Sequence, residues 1–323
     1  MNGNRTLLKK IGSVALVLLF TLLLSGCPNL FGSDNNGNGN GNGDNDDNGG
    51  DGTSETYRSA TTNLESDLGS AGLTDAQIQA ITEGAVGSLT EGELTDSEDS
   101  EAVLTTMISG SQSALTGDDF TDEERLAAIE AIVGSAVGSL SNGGTSASSV
   151  IRASQTQDIL GALVQASVSG IDDAGFTADG FRRQAAGRST GGAVSNLGRA
   201  GVSSELAVSS VRRIAESGVS ALGDGGYTAG DVGETVRFLT RGTMGNVDDT
   251  GIAGVDIELE LRSFGREVSR GVTSNLGRGG VVTSANSGSA LTGVSRGATG
   301  ALQDIDFGGD AATLVNDRSE EHT

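Results

Sequence analysis

A seven-residue signature recurs along the chain about every 26 residues, and that period constrains the fold more than any other feature. An aliphatic anchor is followed by four mostly small or polar residues, a second apolar residue, then Ser or Thr. Residues 68–74, 89–95, 115–121, 171–177, 197–203 and 222–228 carry it, and 140–146, 247–253, 276–282 and 302–308 are weaker copies. Ten anchors at so regular a spacing define a repeat array, in which each unit buries its apolar face only against its neighbours.

Each signature reads as the end of one helix and the start of the next. A Gly or small polar residue after the anchor suits a left-handed C-cap, and the Ser or Thr six residues on suits an N-cap. Thr74 with Gln77 and Thr121 with Glu124 form capping boxes. Between signatures the apolar spacing is helical: Ile129, Ile132, Val133, Ala136, Val137 and Leu140 share one face, as do Val232, Val236, Leu239 and Val247. No Pro follows Pro28 to interrupt these helices. Val255, Ile257, Leu259 and Leu261 alternate like a strand, but the repeat register places them in a helix. The expected fold class is all-α: an array of about nine antiparallel helices of roughly 20 residues from a ~26-residue repeat. An α-solenoid, a closed ring and an up-down helical bundle all satisfy it.

Two columns of small residues suggest how the helices pack. Five residues before each of the last nine anchors stands Gly, Ser or Ala, including Gly84, Gly110, Ser135, Gly192, Gly242, Gly271 and Gly297. Two residues before them stands Gly or Ser, including Gly87, Gly138, Gly245 and Gly300. A Gly inside a helix costs about 1 kcal/mol against Ala. Retaining so many implies that another backbone approaches there. Leu, Ile, Val and Phe supply only about 23% of residues 54–323, close to the composition at which chains stop folding. For the first helices, in the more acidic half, disorder is therefore an alternative to packing.

The N-terminus is a targeting segment. Arg5, Lys9 and Lys10 precede an apolar run over 11–24, short of the ~20 residues that span a bilayer. The run ends in Leu24-Ser25-Gly26-Cys27. This quartet resembles the lipobox of bacterial lipoproteins. The resemblance covers residues 1–27 and implies that Cys27 becomes the first mature residue and carries a diacylglyceryl group, usually with a further acyl chain on its amine. Two or three chains anchor stably where one is marginal. Pro28, where Asp would favour retention at the inner membrane, implies the outer membrane. A partner membrane reached through the lipid on Cys27 follows from the same resemblance.

Residues 32–53 are almost wholly Asn, Gly and Asp, a flexible tether with an end-to-end distance of roughly 25 Å. The domain reading is thus 1–26 signal peptide, 27–53 lipidated Cys and linker, 54–317 helical repeats and 318–323 polar tail. Within the tether Asp44, Asp46, Asn48, Gly49 and Glu55 fit the spacing of an EF-hand calcium loop. The same letters arise readily in an Asn/Gly/Asp tract, so a plain solvated linker is the favoured reading.

Composition restricts the chemistry. The net charge is −23 and the pI about 4.2, which argue against nucleic acid as a partner. The single His is His322, the single Cys is Cys27, and no Lys follows Lys10. Triad, thiol and Lys-based mechanisms therefore lack a group, and no nucleotide fingerprint follows a strand, so no enzyme activity and no cofactor are expected. Arg212, Arg237 and Arg262 each lie fifteen residues after an anchor. They form either an anion-binding ladder or a set of cross-helix partners for Asp and Glu. The expected role is a lipid-anchored envelope protein whose repeat domain contacts an unidentified protein or matrix component. The alternative is a ligand-binding module using the Arg-lined groove.

Overall fold

The computed structural model describes residues 50–89, 100–141, 153–252 and 257–305. They belong to one compact unit, Asp47–Thr323. Cys27, Asp44, Asp46, Asn48, the strand-like Val255 and residues 306–323 lie outside the described residues.

Ten α-helices follow in order among the described residues: α1 (Gly50–Ser70), α2 (Asp75–Gly87), α3 (Ser100–Ala114), α4 (Asp122–Gly138), α5 (Ala153–Ser169), α6 (Asp179–Ser195), α7 (Ser204–Ser220), α8 (Val232–Gly245), α9 (Ile257–Asn275) and α10 (Ser287–Asp304). A 3-10 turn over Gly170–Ala174 extends α5. The fold is all-α, as the period implies. The helices run from 13 to 21 residues, mostly shorter than expected. The first helix begins at Gly50, inside the segment read as tether. The first three helices pack into the array and are not a separate disordered half.

The helices form two layers. One holds α1, α4, α6, α8 and α10, the other α2, α3, α5, α7 and α9. Each helix packs chiefly on its neighbour within the layer and more lightly across to the other layer. From α3 onward the within-layer neighbour is the next helix but one. Consecutive helices are antiparallel, so these neighbours run parallel. In α6 and α8 the register shows it, since Gly187 meets Phe238 and Gly191 meets Asn246. The start of the array is inverted. Asn63 bonds Ser139 while Asp67 bonds Ser135, so α1 lies antiparallel to α4. Likewise α2 lies antiparallel to α3, the Cβ of Ala114 lying 2.8 Å from where a Gly84 Cβ would stand while Ser88 bonds the Thr106 carbonyl. At the termini α1 packs on α2, α3 and α4, and α10 on α8 and α9. Among the described residues the array is open, not a ring.

The core runs between the layers and is built mainly of aliphatic side chains. Leu68, Ile81, Leu104, Ile129, Leu160, Leu197, Ile214 and Phe264 are fully buried. Glycines bring the layers' own helices together. A Cβ on Gly242 would strike the Gly187 carbonyl, and one on Gly192 or Gly297 would strike the carbonyls of Glu130 or Arg237. The column five residues before the anchor is thus the backbone contact. The column two residues before it is peripheral: Gly138 and Gly300 face the Arg199 and Arg241 side chains, and Gly87 faces open space. A third set, one turn earlier, escaped sequence reasoning. Gly187 meets Phe238 and Gly293 meets the Gly233 carbonyl, each backbone to backbone.

The connections differ from expectation in two respects. The left-handed residue is not the one after the anchor but the fourth, where Gly72, Gly175, Gly201, Gly226, Gly251 and Gly280 all have φ between 65° and 85°. This turn lets the N–H of the next residue return to the anchor's carbonyl, as Leu73 does to Leu68, Val202 to Leu197 and Tyr227 to Leu222. Both capping boxes form: the Thr74 and Thr121 hydroxyls accept from Gln77 and Glu124 N–H, whose side chains accept from the cap N–H at 2.9 and 2.7 Å. Thr177 and Thr228 are not N-caps. Their helices start later, at Asp179 and Val232.

Candidate functional site

Alternate connections stack along one edge of the array, and the polar side chains there join them. The Thr177 N–H and hydroxyl donate to the Asp122 carboxylate at 3.0 and 2.7 Å. Arg125 pairs with the same carboxylate at 3.1 Å, both side chains being buried. Its other guanidinium N–H groups donate to the carbonyls of Leu115 and Gly117. Burial works to raise the Asp122 pKa, but the two Thr177 bonds and Arg125 outweigh it and hold the carboxyl below its ordinary value. Two repeats on, Arg182 lies 5.5 Å from the Tyr227 ring centroid, pairs with Asp172 at 2.6 Å and donates to the Gly225 carbonyl. The Tyr227 hydroxyl donates to the Arg182 carbonyl at 2.7 Å, and burial raises its pKa.

The three arginines of the sequence ladder do not share one groove. Arg212 on α7 and Arg262 on α9 stand in one layer, Arg237 on α8 in the other. Arg212 holds Glu216 at 2.8 Å and reaches Glu267 of α9 at 3.5 Å. Arg237 pairs with Glu234 at 2.7 Å and covers the Phe238 ring at 4.1 Å. Arg262 is exposed and has no carboxylate partner among the described residues.

Five other arginines tie helices within a layer. Arg188 of α6 pairs with Glu130 of α4, Arg241 of α8 with Asp304 of α10, and Arg213 of α7 with Asp158 of α5. Arg183 of α6 reaches Asp231 before α8, and Arg296 of α10 reaches Glu234 of α8. The partners lie about two repeats apart in sequence, which is why no single helix reveals them. Such part-exposed pairs are each worth little, roughly 0–1 kcal/mol. They set the register of neighbouring helices more than they stabilise them.

The surface carries shallow grooves. One, of about 320 Å³, has a floor of Gly187, Gly191 and Gly242 and a rim formed by the Glu130–Arg188 and Arg241–Asp304 pairs. Another, of about 340 Å³, lies between Asp67, Glu130, Asn196 and Arg199. Each acid on the first rim is held by an arginine, and Asp67 is held by Arg199 at 2.9 Å. Of the EF-hand-spaced residues, the structure places only the backbone of Glu55, within α1. Among the described residues no group of three His, Cys, Asp or Glu is placed to hold a metal ion. No helix among them is long and apolar enough to cross a membrane.

Compared with known proteins, the chain matches no family model, no curated protein and no solved structure.

Proposed function

We propose that the chain is a lipid-anchored protein of the cell envelope whose helical array serves structural or protein-binding interactions without enzyme activity. The observation that carries the anchor is Leu24-Ser25-Gly26-Cys27 after a charged and apolar leader, followed by a polar tether. The tether holds the array off the outer membrane. The binding role is supported by the open two-layer form, which offers two broad faces and long loop edges. The engagement of its groove carboxylates by arginines supports a non-catalytic role.

The test is metabolic labelling with an alkyne fatty acid, followed by cell fractionation. The wild type takes up label and sediments with membranes, while Cys27→Ser is unlabelled and soluble. An unlabelled wild type overturns the anchor. Protease treatment of intact and lysed cells, read at a C-terminal tag, then assigns the array to the cell surface or the periplasm.

A second reading, an anion-binding module, is favoured by Arg262 alone, because Arg212 and Arg237 already hold carboxylates. It requires that Arg262→Ala weaken binding to an anionic polysaccharide. Undiminished binding removes it.

A further inference from the structure

The two ends of the array carry opposite charge. Residues 50–141 hold eighteen Asp and Glu against two Arg, whereas residues 257–305 hold four against five. In one layer α2 stands first and α9 last among the described helices. Each packs on its neighbour through the Gly five residues before its anchor. Gly84 abuts the Gly110 carbonyl of α3, and Gly271 abuts the Arg212 carbonyl of α7. Nine residues earlier, two and a half turns back, stand Asp75 and Arg262. Both therefore lie on the side turned away from the layer.

Steps of four residues continue each row at the same repeat positions. They hold Asp75, Gln79 and Glu83 on α2 but Arg262, Arg266 and Arg270 on α9, all exposed. Each row spans about 12 Å. Gln79 donates to Glu83 at 2.9 Å, and Arg266, 72% exposed, reaches Glu267 at 3.3 Å. Among the described side chains no carboxylate pairs with Arg262 or Arg270. In the other layer α1 turns Asn63 and Asp67 towards α4, and Arg58, Thr62 and Glu65 away from it. At the far end Gly293 and Gly297 of α10 face α8. Leu291 and Leu302, 50% and 44% exposed, are turned away from α8.

We propose that copies of the chain associate head to tail, the basic end of one docking on the acidic end of the next. Arg262, Arg266 and Arg270 of α9 then lie along Asp75 and Glu83 of α2, and α10 covers Leu291 and Leu302 against α1. The partner is a second copy because the two rows match in length and repeat position and are opposite in charge. Stacking them continues both layers, while two like ends repel each other. Such a heterologous contact leaves one end free on each side, so copies add beyond two. This names the partner for the protein-binding role proposed above and rests on that role. It does not rest on the anchor, because association is read on the chain itself and lipidation at Cys27.

The test is sedimentation velocity of the full-length chain at rising concentration. The wild type is expected to pass beyond a dimer. Raising salt from about 0.05 M to about 0.5 M is expected to weaken association about tenfold. Arg262→Glu with Arg266→Glu makes both ends acidic, and Asp75→Arg with Glu83→Arg makes both basic. Each double variant alone is expected to stay monomeric. An equal mixture of the two is expected to associate, which also shows that both remain folded. A wild type that is monomeric at every concentration overturns the proposal, as does a mixture that fails to associate. So does a dimer that survives Asp75→Arg with Glu83→Arg but dissolves in Leu302→Asp, since two basic ends would then meet through their leucines.

Discussion

The Asp122 carboxylate receives both the N–H and the hydroxyl of Thr177, 55 residues further along the chain. This contact joins the first turn of α4 to the connection ahead of α6, so it couples repeats two apart in the sequence and not merely one helix end. Arg125 completes the joint from below by binding Asp122 and two carbonyls of its own connection. Asp122→Ala leaves a buried guanidinium without its counter-ion. The expected loss is about 3 kcal/mol in urea-induced unfolding. Asp122→Asn, which keeps an acceptor for Thr177, is expected to lose less.

Acid acts on the same joint. The Asp122 carboxyl sits below its ordinary pKa in the folded chain, as does that of Asp231, where burial is outweighed by Thr228 and Arg183. The unfolded chain therefore takes up these protons first. The stabilisation is complete above the ordinary carboxylate range and is lost as pH falls through the lower folded values. Unfolding followed from pH 7 downward is expected to show falling stability, with a shallower fall in Asp122→Asn.

Glycines that admit a neighbour's backbone are separable from those that do not. A Cβ at Gly242 would strike the Gly187 carbonyl, whereas at Gly87 it meets nothing within 4 Å. Gly242→Ala must push α6 from α8 and is expected to cost about 1–3 kcal/mol. Gly87→Ala is expected to be neutral, or to stabilise by up to about 1 kcal/mol. Equal effects in thermal unfolding would show that the helices do not approach through these glycines.

The left-handed turn is testable at Gly72 without a steric complication. Its φ is 85° and a Cβ there meets nothing within 4 Å. Gly72→Ala isolates the backbone cost, expected at about 1–2 kcal/mol in the same unfolding assay.

Part of this architecture is legible along the chain because it is local. A capping box needs only residues three apart, so Thr74 with Gln77 and Thr121 with Glu124 can be read directly, and both form. The left-handed glycines were equally local. Gly four residues after the anchor recurs at Gly72, Gly175, Gly201, Gly226, Gly251 and Gly280, a signal that sequence reasoning passed over for the residue beside the anchor.

The helical period and its burial pattern follow from the sequence alone, since each repeat carries its own apolar stripe, anchor and turn. The layering does not. Antiparallel succession allows α6 to lie chiefly on α7 or on α8, and the choice depends on which backbones the glycines admit. Gly187 against Gly242 decides for α8. The inversion of α1 and α2 and the roles of the arginines are tertiary for the same reason. Arg188 can face Glu130, 58 residues earlier, only after parallel stacking has set the two helices in register. Local chemistry specifies each helix and turn, and contacts about two repeats apart decide which helices meet.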